Sequence, residues 1–296
     1  MSDDGMSRSN VDQAIVVAVD RSPASRAAIE WAAEEALLHV RPLTLVHAVA
    51  PVYVDTHDPV LRARIQRWRI HCARELLAEV KAHLVERTPL DAEAVSTVLQ
   101  VAQPVHLLTE VSGHAAMLVL GSRFHGSWGG RRLGSVSAAL CYRAHCPVAI
   151  VHTHDHERES APVLVGVDGS AASDHAVTVA FEEAARRRVG LVAVHAWSDE
   201  HVLQLIGADW DRYRADAETA LHAALRNTRA RYPDVTVTEK VFCDRPAHWL
   251  IKEAEHAGLV VVGSHGRGVV SALVNGSVAT AVAERADVPV IVTRGG

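Results

Sequence analysis

Lysine is nearly missing from this chain. Of 30 basic residues in 296 only Lys81, Lys240 and Lys252 are lysines. None stands beside a glycine turn, so there is no GxxxxGK[ST] loop and a P-loop NTPase is excluded. GxGxxG is also missing after the first strand of either half, which argues against a dinucleotide dehydrogenase. Aromatic residues make up 4% of the chain, and the four cysteines, Cys72, Cys141, Cys146 and Cys243, include no CxxC pair. That usage excludes a disulfide scaffold and leads us to expect a reducing, cytoplasmic compartment. No apolar run approaches the roughly 18 residues of a membrane span. The start, MSDDGMSRSN, is acidic and polar and lacks the apolar core of a secretory signal. A formal net charge of −5 and a pI near 6.4 argue against nonspecific binding to nucleic acid or anionic membranes.

What the chain does have is 49% hydrophobic residues and an internal repeat. Residues 14–49 align without a gap on 162–197, and 15 of the 36 positions are identical. Residues 115–151 match 257–293 in the same way. We therefore expect two copies of one domain, 1–153 and 161–296, joined by a polar linker at 154–160. Within the first copy, short apolar runs alternate with helical spacing. The expected order is strand Ala14 to Val19, helix Ser25 to His39, strand Leu43 to Val49, and a long helix Pro59 to Arg87. It continues with strand Val95 to Val101, helix Pro104 to Ser112, strand Met117 to Leu120, helix Leu133 to Arg143 and strand Val148 to Val151. Ser22 is placed to cap the first helix and Pro23 to open it. In the long helix, Ile65, Trp68, Cys72, Leu76 and Val80 recur at helical spacing. The second copy repeats the series, with Tyr213 to Tyr232 as its long helix. Such alternation implies an α/β fold, a doubly wound, mainly parallel five-stranded sheet in each copy.

In open α/β sheets, ligands bind beyond the carboxyl ends of the strands, where the strand order switches. Those positions hold Asp20 and Asp168 after the first strand, and His47-Ala48 and His195-Ala196 at the second. After the fourth strand come Gly121-Ser122 in the first copy and Gly263-Ser264-His265-Gly266-Arg267-Gly268 in the second. The last helix opens on Gly134-Ser135-Val136 or Gly276-Ser277-Val278. A glycine turn brings backbone N–H groups close to an anion, and a helix N-terminus adds free N–H groups and a favourable dipole. Arg267 supplies positive charge.

The spacing Gly263-x2-Gly266-x9-Gly276-Ser277, after an Asp-ended first strand and an LVAVHA second strand, resembles the universal stress protein family. More closely, it resembles the tandem-domain, ATP-binding type of mycobacteria and related actinobacteria. The resemblance covers both halves and implies a Rossmann-like fold related to the adenine-nucleotide alpha-hydrolases. It places Asp168 at the nucleotide, the Ala196 backbone at the adenine edge and Gly166 beneath the ligand. Gly263, Ser264, His265, Gly266, Arg267 and Gly268 then wrap the ribose and phosphates, and Gly276, Ser277 and Val278 hold the phosphate tail. The corresponding first-copy residues are Ala18, Asp20, Ala48, Gly121, Gly126, Gly134, Ser135 and Val136. Magnesium accompanies ATP through Asp168 rather than through a dedicated metal site. The implied role is a nucleotide-dependent regulator in stress response or growth arrest, with an unidentified protein partner. The alternatives are a weak ATPase or a nucleotide-independent interaction module. The family also implies that the short last strands pair the two domains as an intrachain pseudo-dimer, and it leaves room for a chain-to-chain homodimer.

Other features carry blander readings. His152, His154, Asp155 and His156 read as a solvated linker rather than a metal site. A response-regulator phospho-acceptor needs an acidic pair and a distal lysine that the first strands do not supply. Cys141 and Cys146 read as packing thiols, and no dedicated catalytic group stands out. The copies differ at one point: Phe124 occupies the place of Gly266, and a β-carbon there hinders close backbone approach to phosphate. We predict weaker ATP binding by the first copy. Equilibrium binding on the intact chain should give one strong site. Phe124→Gly should strengthen binding by the first copy, and Gly266→Phe should abolish the strong site in the second copy.

Overall fold

A computed structural model describes residues 11–52, 58–122, 133–152, 158, 160–197, 210–264 and 278–295. They fall into two compact units. The first unit contains β1 (Ile15–Ala18), α1 (Pro23–Leu38), β2 (Leu43–Ala48), α2 (Pro59–Arg87), β3 (Val95–Gln100), α3 (Pro104–Ser112), β4 (Met117–Gly121), α4 (Ser135–Arg143) and β5 (Val148–Val151). The second contains β6 (Val163–Gly166), α5 (Ala171–Arg187), β7 (Leu191–Trp197), α6 (Trp210–Arg231), β8 (Val237–Cys243), α7 (Pro246–Ala254), β9 (Leu259–Gly263), α8 (Val278–Arg285) and β10 (Val290–Thr293). The expected alternation is present in both. Boundaries differ by a residue or two: β1 ends at Ala18, α1 begins at Pro23, and α4 begins at Ser135 rather than Leu133. Most of the expected linker, 154–157 and 159, lies outside the described residues.

Strands in the first unit run in the order β3-β2-β1-β4-β5, and every neighbouring pair is parallel. The second unit has the order β8-β7-β6-β9-β10, again parallel throughout. The central strands β1 and β6 are buried apolar runs, as helices on both faces require. Their neighbours come from opposite directions in sequence. Ile15 faces Leu43 on one side and Met117 on the other. The order therefore switches between β1 and β4, and between β6 and β9, which opens a crevice at the carboxyl ends of those strands.

Helix α1 starts because the Ser22 hydroxyl accepts the Ser25 N–H and Pro23 fills the first turn, where a missing N–H costs nothing. At its end Val40 takes a left-handed conformation, φ 52°, and the Arg41 N–H closes onto the Ala36 carbonyl. Arg188 does the same after α5. Both helices therefore end in a left-handed cap without glycine. Each carries a buried glutamate beside a basic residue one turn on, Glu35 with His39 and Glu183 with Arg187.

The long helix α2 departs from the expected pattern. Its buried residues are Ala73, Leu76, Leu77 and Leu84, whereas Trp68 is 64% exposed. At 3.6 residues per turn Trp68 lies about 80° around the helix from Leu76, off the buried stripe. Val60 and Leu61 are exposed as well, among the exposed Arg62, Arg64, Arg67 and Arg69. Trp68→Ala should therefore change unfolding stability by less than about 0.5 kcal/mol. Leu77→Ala, which empties a buried position, should cost about 2–5 kcal/mol. Urea titrations of the two variants check both values.

Candidate functional site

At the end of β1 the chain turns through Val19, Asp20, Arg21 and Ser22 into α1. The Asp20 N–H donates to Ser25 Oγ at 2.9 Å, and Asp20 Oδ1 accepts the Ser22 N–H at 2.8 Å. From β2, His47 Nδ1 lies 2.6 Å from the Val19 carbonyl oxygen. A carbonyl only accepts, so Nδ1 carries the proton. The second unit repeats this turn. The Asp168 N–H donates to Ser173 Oγ at 3.1 Å, Asp168 Oδ1 accepts the Ser170 N–H at 2.9 Å, and His195 Nδ1 donates to the Val167 carbonyl at 2.7 Å.

In the first unit this turn borders a cavity of about 150 Å³ at the switch between β1 and β4. Six of the residues expected there line it: Ala18, Asp20, Ala48, Gly121, Gly134 and Val136. Ser135 is the first residue of α4, and the wall at that point is formed by its neighbours. Gly126 and Phe124 lie outside the described residues. His47, noted at the end of the second strand, also lines the cavity, as do Pro104 and Leu108 of α3, Ser25 and Ser137, which the sequence did not single out. The cavity is smaller than the roughly 300–1,000 Å³ that encloses a drug-sized ligand. It suits one flat ring system between apolar walls, with polar groups at the rim. At that rim α4 begins on Gly134, which has no side chain to cap it. The first-turn N–H groups and the dipole of α4 therefore favour an anion there.

Two glycines have a purpose that the resemblance did not supply. A Cβ on Gly121 would lie 2.5 Å from the Ala24 carbonyl carbon and oxygen, and one on Gly263 would lie 2.8 Å from the Ala172 carbonyl carbon. Both strand ends touch the backbone in the first turn of the first helix of their own unit, α1 or α5, and only glycine permits that approach. A Cβ on Gly166 would meet Leu250 of α7 at 3.1 Å, so its small size makes room for a helix packed on the strand. Ser264 is buried, and its N–H donates to the Thr293 carbonyl at 2.7 Å, which commits that amide to the sheet.

The rest of the second copy's site is described only in part. Ala196 stands near the end of β7, half-buried, and Val278 opens α8. His265, Gly266, Arg267, Gly268, Gly276 and Ser277 lie outside the described residues. A groove of about 430 Å³ runs from the α7 N-terminus to α8, lined by Val278 and by Arg245, His248 and Arg285, with no acidic residue among the described residues that line it. Sequence reasoning missed these three. The available signal was an Arg-Pro pair opening α7 and a basic last turn in α8. Arg245 adopts a left-handed conformation (φ 52°, ψ 55°), unlike its first-copy counterpart Gln103 (φ −69°, ψ 133°).

Cys141 and Cys146 are buried, and burial pushes both thiols up to about 12, so neither is a thiolate at neutral pH. His152 Nε2 bonds the Ala283 carbonyl at 2.7 Å, which removes that nitrogen from any metal site. His154, Asp155 and His156 lie outside the described residues.

The universal stress protein family model matches residues 13–152 and again 160–294. The chain belongs to the universal stress protein family. It is built from two tandem domains of that family, each a parallel sheet with helices on its faces. It is 43% identical over 294 residues to a universal stress protein of Mycobacterium tuberculosis, covering 98% of this chain and 99% of that one. A relative from Mycolicibacterium smegmatis is 38% identical over 292 residues, with 98% and 99% covered. Among solved structures, a universal stress protein from Archaeoglobus fulgidus shares the fold. Its TM-score is 0.71 at 21% identity, covering 96% of this chain and 98% of that one. No described helix is long and apolar enough to cross a membrane.

The glycine contacts yield a prediction for both copies of this stress-protein domain. Gly121→Ala and Gly263→Ala should each destabilise the chain by about 1–3 kcal/mol through overpacking. The loss should appear in urea unfolding without nucleotide, which separates it from any effect on a ligand.

Proposed function

We propose that this universal stress protein is an adenine-nucleotide-binding regulator that uses ATP with Mg²⁺ to set its state in stress response or growth arrest. One observation supports this most: the first-unit cavity at the β1/β4 switch collects six of the expected residues on apolar walls, beside the uncapped start of α4. The adenine ring fits between the apolar walls, with the Ala48 backbone at its edge, and in the second copy Ala196 takes that role. The phosphates extend toward the N-terminus of α4 or α8, and in the second copy Arg245 lines a groove together with Val278, the first residue of α8. Asp20 and Asp168 suit the donor set that magnesium uses with nucleotides, one carboxylate plus phosphate oxygens and water.

Phe124, which stands where the second copy has Gly266, lowers affinity at the phosphate end of the first copy. The domains span 1–153 and 161–296, and the protein acts in the cytoplasm. The exposed Val60, Leu61 and Trp68 among arginines on α2 support a protein partner that responds to the nucleotide state.

The test is to denature the purified chain, identify any released nucleotide, and follow its turnover in parallel. Retained ATP with negligible ADP formation is the expected result. Rapid turnover would instead make the protein an ATPase. An empty chain without affinity for ATP would leave a nucleotide-independent interaction module.

A further inference from the structure

The peptide unit that leads into each site aspartate is held at both polar ends by side chains. For the Val19–Asp20 peptide, the carbonyl accepts from His47 Nδ1 at 2.6 Å and the N–H donates to Ser25 Oγ at 2.9 Å. The holding groups come from different elements, His47 from β2 and Ser25 from α1. The Val167–Asp168 peptide is held in the same way by His195 from β7 and Ser173 from α5, at 2.7 and 3.1 Å. With both ends fixed, the peptide plane cannot rotate, and the direction of the aspartate Cα–Cβ bond is set. The Ser22 or Ser170 N–H then fixes Oδ1. Oδ2 has no protein partner among the described residues, and Asp20 borders the cavity.

We propose that His47 and His195 are positioning residues that act through Asp20 and Asp168, aiming the remaining carboxylate oxygen at the ligand. This inference rests on the nucleotide-binding reading above. Sheet formation alone does not require the histidine. The β1–β2 and β6–β7 ladders are made by backbone groups, and the ring reaches past the end of the ladder to a carbonyl in the turn. The repeat points the same way. All four pairs of the device, Asp20/Asp168, Ser22/Ser170, Ser25/Ser173 and His47/His195, are among the 15 identical positions of 36, while buried packing positions such as Trp31/Val179 have diverged.

The chemistry offers a discriminating substitution. Asparagine places an N–H donor close to where Nδ1 stands, glutamine moves it one bond outward, and leucine removes it. Paired variants, with His47 and His195 changed together, keep the two copies equivalent. In the nucleotide-free chain, amide hydrogen exchange at Asp20 and Asp168 should speed up by about tenfold or more in the leucine and glutamine pairs and stay near native in the asparagine pair. Unchanged protection in the leucine pair would overturn the clamp.

The second arm measures ATP affinity in a double-mutant cycle. The leucine pair should weaken ATP binding by about tenfold, and the asparagine pair should restore it. In a chain already carrying Asp20→Asn and Asp168→Asn, the leucine pair should change affinity by less than about twofold. Equal losses in both backgrounds would show that the histidines do not act through the aspartates. If the unmodified chain binds no ATP, the nucleotide reading fails, and the exchange arm still decides whether the clamp exists.

Discussion

The first turn of α1 touches the end of β4 at backbone distance, and the geometry of the site follows from that contact. With no side chain at Gly121, the Ala24 carbonyl and the Ser25 N–H sit directly against the strand end. That closeness buries Ser25 and lets its hydroxyl meet the Asp20 N–H. The same closeness brings Asp20 beside the β1/β4 crevice. Gly263 and the first turn of α5 repeat the contact in the second unit, with Ser173 and Asp168 in the corresponding roles. The shape of the crevice here is thus a by-product of helix-on-sheet packing.

Much of this was legible in the amino-acid sequence because parallel strands buried on both faces leave plain apolar runs, and the residues just after them mark one end of the sheet. Asp20, Ala48, Gly121 and Gly134 were found in that way. What a residue is for was less legible than where it lies. Gly121 and Gly263 were noticed as glycines near a presumed phosphate, yet their immediate neighbour is a helix backbone. The Ser264 amide bonds the sheet, a contact to Thr293 that spacing does not show. Trp68 followed an apolar spacing that the packing of α2 does not use. Leu108 and Arg245 were missed because which side of a helix faces a crevice depends on its packing angle, which spacing alone does not reveal. The bond from His47 to Val19 spans 28 positions. A side-chain-to-backbone contact of that kind leaves no periodic trace, and only its repetition at His195 and Val167 distinguishes it.

The two units also show how duplicate sites diverge while keeping one framework. The turn around the aspartate is the same in both, whereas the loop before α3 and α7 is not. Gln103 is in an extended conformation, but Arg245 is left-handed, follows a second left-handed residue, Asp244, and brings a guanidinium to the groove. A left-handed conformation costs a non-glycine residue some free energy, although aspartate tolerates it better than most. The second unit maintains that cost, and with it a basic wall on the groove between α7 and α8.

The position of the central strand has a consequence for how the protein is made. Within the first unit, Ile15 pairs with Leu43 early in the chain but with Met117 only much later. In the second unit Val163 waits in the same way for Leu259. As a ribosome extrudes the chain, β1 can find β2 while the other side of the sheet has not yet been synthesised. The crevice needs both neighbours, so it is among the last features of each unit to form. A nascent or truncated unit would display much of the secondary structure of the finished one and still present no pocket. The presence of the crevice thus reports that the unit has closed.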